Sequence, residues 1–283
     1  MIDSHAHLHH PGIADQIDSV ISRFVDAGGT AILNNAIDLE SCLTVLEQAG
    51  KFEQVFPALG LQPEIAIPGS DIYIPSVSNA WIAKNVSELE KLIKKNKSVL
   101  AIGEIGLDYY WVKKERIPGR EQIFSLQREM FGMQVELAAE QNLPVVIHCR
   151  DEDGDKQAEA ETLEIIAKTG GSRVRGVFHS YTGSISYLDD ILGLDFYVSF
   201  NAILTYRSGD NVRMLLDAVP DDRLLLESDA PFLVPHRKRS VGIKIGEPVF
   251  IDEVAKLVAE RKRIHIDALW EQVDGNFRKL FGL

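Results

Sequence analysis

Eight short apolar runs, rich in β-branched residues, recur along the chain and constrain its fold more than any other feature. Each run is bounded by turn residues and is followed by a longer stretch with helical periodicity. Strands that are buried on both faces of a parallel sheet have this pattern. We therefore predict strands at Ile2 to Leu8, Thr30 to Ile37, Val55 to Leu61, Val99 to Leu107, Pro144 to His148, Val174 to His179, Phe196 to Ile203 and Leu224 to Asp229.

Helices are predicted between these strands, near 13–27, 39–50, 84–96, 119–141, 157–169, 184–191, 209–218 and 248–262. Eight β-then-α units fit an α/β fold of the (β/α)8 TIM-barrel type better than a doubly wound sheet. A further amphipathic segment, Ile266 to Phe281, predicts an additional C-terminal helix. No internal repeat or Pro/Gly/Ser-rich linker divides the chain, so we expect one domain over residues 1–283.

The charge balance excludes one class of protein. The chain has 42 acidic and 30 basic residues, which gives a net charge of −12. Proteins that coat duplex DNA or anionic membranes carry a positive field over much of their surface. The balance therefore argues against such a coat protein and stays compatible with a local basic site.

Cysteine content and hydropathy indicate the compartment. The two cysteines, Cys42 and Cys149, cannot supply a disulfide framework for 283 residues, which favours a reducing environment. The first ten residues have no basic stretch followed by an apolar one, and no apolar run approaches the ~20 residues that span a bilayer. We expect a cytoplasmic protein with no membrane partner.

Metal-binding side chains lie on the predicted strands. His5 and His7 stand two residues apart and share a face of the first strand, although a lone pair of this kind is equally compatible with surface histidines. Glu104 lies within an apolar strand, where a carboxylate needs a metal or a buried basic partner. Three more such residues end the fifth, sixth and eighth strands: His148, His179 and Asp229.

The carboxyl ends of barrel strands meet at one face, so these six side chains should converge on one pocket. Six ligands exceed the four that a tetrahedral Zn²⁺ uses, and one carboxylate can bridge two ions. We expect two divalent cations, of a kind that imidazole and carboxylate suit, namely Zn²⁺, Mn²⁺ or Mg²⁺. Our assignment gives His5, His7 and Asp229 to one ion and His148 and His179 to the other, with Glu104 bridging.

Seven motifs resemble those of the TatD-like metal-dependent hydrolases, within the wider amidohydrolase group. They are spread over most of the chain, and their combination is specific. The motifs are DSHAHL at 3–8, GEIGLDYY at 103–110, QREMFGMQVELA at 127–138, PVVIHCR at 144–150, GVFHSYTGS at 176–184, LLLESDAP at 224–231 and GEPVFI at 246–251.

The resemblance implies the same barrel and a divalent-metal nuclease that acts on DNA, often as an exonuclease from the 3′ end. It also implies that the six residues named above are the ligands. By analogy with the wider group, Asp229 is interpreted as the general base, and Glu104 is the second catalytic residue. The expected partner is DNA, single-stranded or at strand ends, bound locally by a protein that we expect to be a monomer.

Several residues near the predicted pocket mouth are candidates for substrate binding. Arg150 lies two residues beyond His148 on the same face, where its guanidinium could clamp a phosphate. Basic clusters follow the fourth and eighth strands, at 113–116 and 237–239; a solvated surface loop is the alternative for each. Four aromatic residues could stack on bases or serve as packing: Tyr109, Tyr110, Trp111 and Tyr181.

Two departures from the family pattern bear on the substrate. His9 and His10 follow the His-x-His-Leu motif where an Asp is usual, and the loop after Arg150 is long and acidic. An amidohydrolase-type esterase or amidase, such as an aminoacyl-tRNA deacylase, stays open as an alternative, as does a non-catalytic nucleic-acid-binding subunit. Many two-metal amidohydrolases bridge their ions with a carboxylated lysine, and the fourth strand has Glu104 instead.

Overall fold

Eight parallel strands form one sheet whose order follows the chain. The computed structural model describes residues 1–283, except for the side chain of Ser172. Neighbouring strands pair in parallel, as expected for strands joined by helical crossovers. The strands are β1 (Ile2–Ala6), β2 (Ala31–Asn35), β3 (Val55–Leu59), β4 (Ala101–Asp108), β5 (Val145–Arg150), β6 (Gly176–Phe178), β7 (Tyr197–Phe200) and β8 (Leu224–Leu226).

Hydrogen bonds between the two ends of the sheet bring it close to a complete barrel. The backbone N–H of Asp229 donates to the His5 carbonyl (3.0 Å), and that of His7 donates to the Ala230 carbonyl (2.7 Å). The buried Asp3 carboxylate adds a side-chain link, because its Oδ1 accepts from Ser228 N at 2.8 Å. The predicted (β/α)8 TIM barrel is confirmed.

Helices follow the strands around the barrel. Nine of them match the predicted segments. Of the three short ones, α5 and α10 lie in loops for which no helix was predicted, and α1 overlaps the start of the segment predicted near 13–27. Among the residues that the structure describes, no helix is both long and apolar enough to cross a bilayer. The helices are α1 (Pro11–Ala14), α2 (Ile17–Asp26), α3 (Leu39–Lys51), α4 (Asn79–Lys95), α5 (Tyr110–Lys114), α6 (Arg120–Gln141), α7 (Gln157–Ile165), α8 (Ile185–Gly193), α9 (Asp210–Ala218), α10 (His236–Ser240), α11 (Ile251–Lys262) and α12 (Ile266–Phe281).

Helix α12 is the predicted additional C-terminal helix. It packs against β1, β8 and α11, and buries Leu269, Val273 and Phe277 on one face. Its Asn276 side chain donates to the carbonyls of Asp221 (2.7 Å) and Leu224 (2.8 Å), at the start of β8. The helix therefore lies beside the amino-terminal end of the barrel, away from the predicted site.

Local sequence explains where the elements begin. Helix α3 starts at a reciprocal cap in which Ser41 N donates to the Asp38 carboxylate (2.7 Å) and Asp38 N donates to the Ser41 hydroxyl (3.0 Å). Its buried residues include Cys42 and Val45, spaced to form one inward face. The hydrophobic pattern and the cap thus specify the same helix.

Several strands end earlier than predicted. β8 ends at Leu226 instead of Asp229, and Asp229 itself has a φ of +51°, which is outside the range of a strand. β1 ends at Ala6 and β6 at Phe178, so His7 and His179 lie one residue beyond their strands. β5 runs on through Arg150, which shortens the acidic loop to residues 151–156.

Candidate metal centre

The carboxylate of Glu104 lies at the middle of a cluster at the carboxyl end of the barrel. It is 1% exposed, and four imidazoles surround it. All six predicted ligands contribute side chains to this cluster. They are His5, His7, Glu104, His148, His179 and Asp229.

One oxygen of Glu104 faces the ligands at the first and eighth strands. Glu104 Oε2 lies 3.4 Å from His5 Nε2 and 3.3 Å from His7 Nε2, and the two imidazole nitrogens are 3.0 Å apart. Asp229 Oδ1 lies 3.9 Å from each of them. Gln62, for which no role was predicted, donates from Nε2 to the same Glu104 oxygen at 3.0 Å.

The other oxygen of Glu104 faces the ligands at the fifth and sixth strands. Glu104 Oε1 lies 2.7 Å from His148 Nδ1 and 2.8 Å from His179 Nε2. These two nitrogens are 3.3 Å apart. The two carboxylate oxygens therefore face different histidines, while His5 also forms a candidate metal-binding group with Glu104 and His179, its ring centroid lying 4.0 Å from that of His179.

Irregular backbone in β4 positions Glu104. The pairing register between β4 and β5 shifts between Ile102 and Ile105, which is a local bulge. Gly103 lies in this bulge and Gly106 just after it, and neither position has room for a side chain. A Cβ at Gly103 would lie 2.6 Å from Val146 Cβ, and a Cβ at Gly106 would lie 1.8 Å from the His148 carbonyl oxygen. The GEIG sequence is therefore required for the close approach of β4 and β5.

Polar groups behind the histidines fix the orientation of their rings. His148 Nε2 lies 2.9 Å from Asp108 Oδ2, and His7 Nδ1 donates to the Asn35 carbonyl at 3.0 Å. His179 Nδ1 lies 3.5 Å from Glu227 Oε1. Partners of this kind are typical of metal-binding histidines, because they fix which nitrogen faces the metal.

Asp108 and Glu227 belong to the centre although our sequence-based site does not include them. Both are fully buried. Glu227 accepts from the Ser199 hydroxyl (2.5 Å) and from Asn201 Nδ2 (3.0 Å), which offsets part of the cost of its burial. The signal in the sequence was a second carboxylate in each of two strand-end motifs, GEIGLD and LLLESD.

Protonation in the cluster is set by burial and by these contacts. Burial disfavours ionisation of Glu104, yet its contacts with His179 and His148 hold its pKa well below the usual range. Burial likewise opposes the charged form of His148, but Asp108 and Glu104 raise its pKa to about 9. Burial lowers the pKa of His5 to about 4 and raises that of Asp229 to about 7. An ionised Glu104 thus lies beside a protonated His148 and a neutral His5.

The donor chemistry fits divalent cations. Because the Asn35 carbonyl only accepts hydrogen bonds, His7 Nδ1 carries a proton, and a neutral His7 ring presents a lone pair from Nε2. That lone pair faces Glu104 Oε2 at 3.3 Å, an oxygen that also only accepts, so a proton or a cation must lie between the two atoms. Imidazole nitrogens and carboxylate oxygens that point at one another in this way provide suitable ligands for a metal ion.

Comparison with known proteins agrees with this chemistry. The family model of TatD related DNase matches residues 2–282. The chain belongs to the TatD family. It is 31% identical over 281 residues to the uncharacterized metal-dependent hydrolase YabD of Bacillus subtilis (strain 168), covering 99% of this chain and 98% of that protein. This TatD-family chain is accordingly a metal-dependent hydrolase.

Two further relatives are informative. The protein named 3'-5' ssDNA/RNA exonuclease TatD of Pantoea ananatis (strain LMG 20103) is 30% identical over 289 residues and is matched over the full length of both chains. The crystal structure of YJJV, a TatD homolog from Escherichia coli K12, superposes with a TM-score of 0.82 at 23% identity, covering 100% of this chain and 98% of that one. The similarity to the YJJV structure supports the TIM-barrel fold.

The structure places Arg150 on the rim of the TatD-family centre. Its side chain is exposed, and its guanidinium carbon lies 3.9 Å from the centroid of the Tyr110 ring. Lys114 lies over the same ring at 5.0 Å and over Trp111 at 4.7 Å. A cationic and aromatic surface therefore borders the centre beside α5.

The stacking interpretation is wrong for two of the four aromatic residues. Tyr109 and Tyr181 are buried, and their hydroxyls donate to Glu161 (2.5 Å) and Glu159 (2.7 Å). Both therefore serve as packing. An exposed ring is present elsewhere: Phe232 is 57% exposed, and its centroid lies 5.4 Å from that of His7.

Part of the predicted basic surface is neutralised. Lys113 is 9% exposed and pairs with Asp151 (2.6 Å) and Asp155 (2.5 Å), both from the acidic loop. Lys113 is therefore not available for a phosphate, and the acidic loop acts partly as its counter-charge. Arg237 and Lys238 face Glu253 at 3.5 and 3.8 Å.

The two extra histidines have different surroundings. Burial lowers the pKa of His9 to about 3, so this ring is neutral at physiological pH. His10 Nδ1 accepts from Gly12 N at 3.0 Å and caps α1. His10 therefore has a structural role in starting the helix that follows β1.

Proposed function

We propose that this TatD-family hydrolase is a deoxyribonuclease that removes nucleotides from the 3′ end of single-stranded DNA or frayed strand ends. The observation that carries the proposal is the Glu104 carboxylate, whose two oxygens face two groups of metal-binding donors. Sites with two cations bridged in this way are typical of enzymes that hydrolyse phosphate esters. The name of the Pantoea ananatis relative, a 3'-5' ssDNA/RNA exonuclease, supports a nucleic-acid substrate.

In this proposal His5, His7 and Asp229 would hold one cation and His148 and His179 the other, and Glu104, which lies between these residues, would contact both. The cations, Zn²⁺, Mn²⁺ or Mg²⁺, would lower the pKa of the attacking water and neutralise charge on the phosphoryl group. Glu104 is suited to bridging because its pKa is held well below the usual range, so the carboxylate is ionised.

Asp229 is the proposed general base. Its Oδ1 lies 3.9 Å from both His5 Nε2 and His7 Nε2, and its side chain is 14% exposed, so a substrate and a water can reach it. Its left-handed backbone and the bond from Asp229 N to the His5 carbonyl fix the carboxylate beside the ligands. From that position Asp229 accepts the proton of the attacking water.

Rim residues would hold the strand. Arg150 supplies an exposed guanidinium whose geometry suits a phosphate, and its stacking on Tyr110 limits the orientations that it can adopt. Phe232 presents an exposed ring beside His7, where the terminal base can stack. A strand end thus has contacts for both its phosphate and its base.

A substrate panel tests the proposal. The purified protein, loaded with Zn²⁺, Mn²⁺ or Mg²⁺, is incubated with single-stranded DNA labelled at the 5′ or the 3′ end, with RNA, with duplexes that carry overhangs, and with aminoacyl-tRNA. We expect a ladder from the 5′-labelled strand and early release of the 3′ label. Hydrolysis of the aminoacyl ester without strand cleavage would instead establish the esterase alternative.

A further inference from the structure

An open cavity lies at the same end of the barrel as the metal centre, between the loops that follow β7 and β8. Its volume is ≈ 470 Å³. The loops after the seventh and eighth strands of TIM barrels are a recurrent position for phosphate sites. The cavity is lined by Tyr206, Arg207, Ser208, His236, Arg239 and Ser240.

The lining carries positive charge and contains no carboxylate. Arg207 and Arg239 are exposed, and neither forms an ion pair with any of the side chains that the structure describes. By contrast, the neighbouring Arg237 and Lys238 both face Glu253. In a chain with a net charge of −12, two unpaired guanidinium groups in one cavity form a local anion site.

Hydrogen bonds hold both loops in place around the cavity. The Tyr206 hydroxyl donates to the Val234 carbonyl at 3.0 Å, and His236 N donates to the Thr205 hydroxyl at 2.8 Å. Arg213 Nη1 donates to the Tyr206 carbonyl at 2.8 Å. The first two bonds join the two loops to each other and the third joins the β7 loop to α9, so a ligand would enter a site that is largely formed already.

The wall of the cavity is connected to the metal centre. The segment after β8 turns at Asp229, whose carbonyl accepts from Phe232 N at 2.9 Å, and continues to Val234 and His236. The cavity wall formed by His236, Arg239 and Ser240 and the proposed base Asp229 therefore belong to the same segment after β8.

Resting on the proposed nuclease function, we propose that this cavity binds a backbone phosphate of the substrate strand beyond the phosphate that is hydrolysed. Arg207 and Arg239 are its main contacts, because guanidinium groups donate paired hydrogen bonds to phosphate oxygens. The hydroxyls of Ser208 and Ser240 add neutral donors. A substrate with a single phosphodiester cannot occupy the metal centre and the cavity at the same time, whereas a longer strand can.

The test compares substrates of different length. In the Arg207→Gln/Arg239→Gln variant we expect the KM for a single-stranded 12-mer to rise at least about tenfold, because both charge-assisted contacts to the phosphate are removed. The kcat/KM for bis(p-nitrophenyl) phosphate, which has a single phosphodiester, should be unchanged. The matched control is Arg173→Gln/Arg263→Gln, which removes the same charge at exposed positions before β6 and after α11 and should leave both values unchanged.

Binding gives a second readout that does not depend on turnover. Fluorescence anisotropy with the metal-loaded protein and a phosphorothioate 12-mer should show weaker binding by the cavity variant. Its slope of log K against log salt should be smaller by about 0.7, the value for one phosphate of a single strand. An unchanged KM and salt slope would overturn the proposal, as would equal losses on both substrates.

Two other outcomes separate the possible causes of failure. If inorganic phosphate binds the wild type and not the variant, but the KM shows no dependence on strand length, the cavity is a site for free anions and the proposal is wrong. If the wild type cleaves neither the 12-mer nor bis(p-nitrophenyl) phosphate, the nuclease function fails. The anisotropy measurement then still decides whether the cavity holds a strand phosphate.

Discussion

At the scale of single residues, the protonation of His148 is coupled to metal binding. Its two ring nitrogens face carboxylate oxygens, Glu104 at 2.7 Å and Asp108 at 2.9 Å. Carboxylates accept hydrogen bonds only, so without a cation the ring donates from both nitrogens and is an imidazolium. A cation that binds at Nδ1 must replace that proton.

Cation binding at pH 7 should therefore release protons. The pKa of His148 is raised to about 9, so the proton is present below that pH, and cation affinity should rise as the pH increases towards 9. Isothermal titration calorimetry with Zn²⁺ or Mn²⁺, in buffers of different ionisation enthalpy, measures this release. In Asp108→Asn the release should be smaller and the cation affinity about 10- to 100-fold lower. Heats that are independent of the buffer would contradict this account.

Asp229→Asn tests the general base. The amide cannot accept the proton of the attacking water, so we expect kcat to fall by about 10²- to 10⁴-fold, the range of general base catalysis. Circular dichroism should be unchanged, since the backbone turn is retained. Asp155→Asn is a suitable control, because Asp155 pairs with Lys113 away from the ligands and its change should leave kcat near the wild-type value. Near-normal turnover by Asp229→Asn would exclude the assignment.

At the scale of elements, the pairing of β4 with β5 decides whether the centre forms. β4 supplies Glu104 and Asp108, and β5 supplies His148, so three residues of the centre depend on one pair of strands. The bulge around Glu104 and the close approach at Gly106 set their relative position. The register of this pair is therefore as important to the site as the ligands themselves.

Gly106→Ala should destabilise the barrel strongly. The residue has a φ of +148°, and an added Cβ would lie 1.8 Å from the His148 carbonyl oxygen. We expect a loss of more than about 3 kcal/mol in the free energy of unfolding, or a failure to fold, because backbone strain and overpacking both oppose it. Gly275→Ala in α12 has open space and should gain about 0.5–1 kcal/mol. Urea denaturation measures both.

The sequence predicted the strands, most helices and all six side chains that cluster at the candidate metal centre, because periodicity and strand-end position are local properties of the chain. It did not predict which partner faces a side chain across the barrel. Lys113 belonged to a candidate basic cluster at 113–116, but Asp151 and Asp155 neutralise it. Tyr109 was a stacking candidate although Phe124 covers its ring at a centroid distance of 3.7 Å. Such contacts depend on packing between distant elements.

At the scale of the whole molecule, the acidic surface and the proposed anionic substrate are reconciled by where the charges lie. The net charge of −12 describes the entire chain, whereas Arg150, Arg207 and Arg239 are at the carboxyl end of the barrel. Two divalent cations in the centre would add positive charge at the same end. The protein should therefore bind bulk DNA weakly and a strand end locally.

Anomalous X-ray scattering from crystals grown with Zn²⁺ or Mn²⁺ tests the central claim most directly. We predict two peaks about 3.5–4 Å apart, the separation of cations in two-metal sites. One should lie among His5, His7 and Asp229 and the other between His148 and His179, with the Glu104 carboxylate between the peaks. A single peak, or a pair that does not flank Glu104, would contradict the two-cation centre.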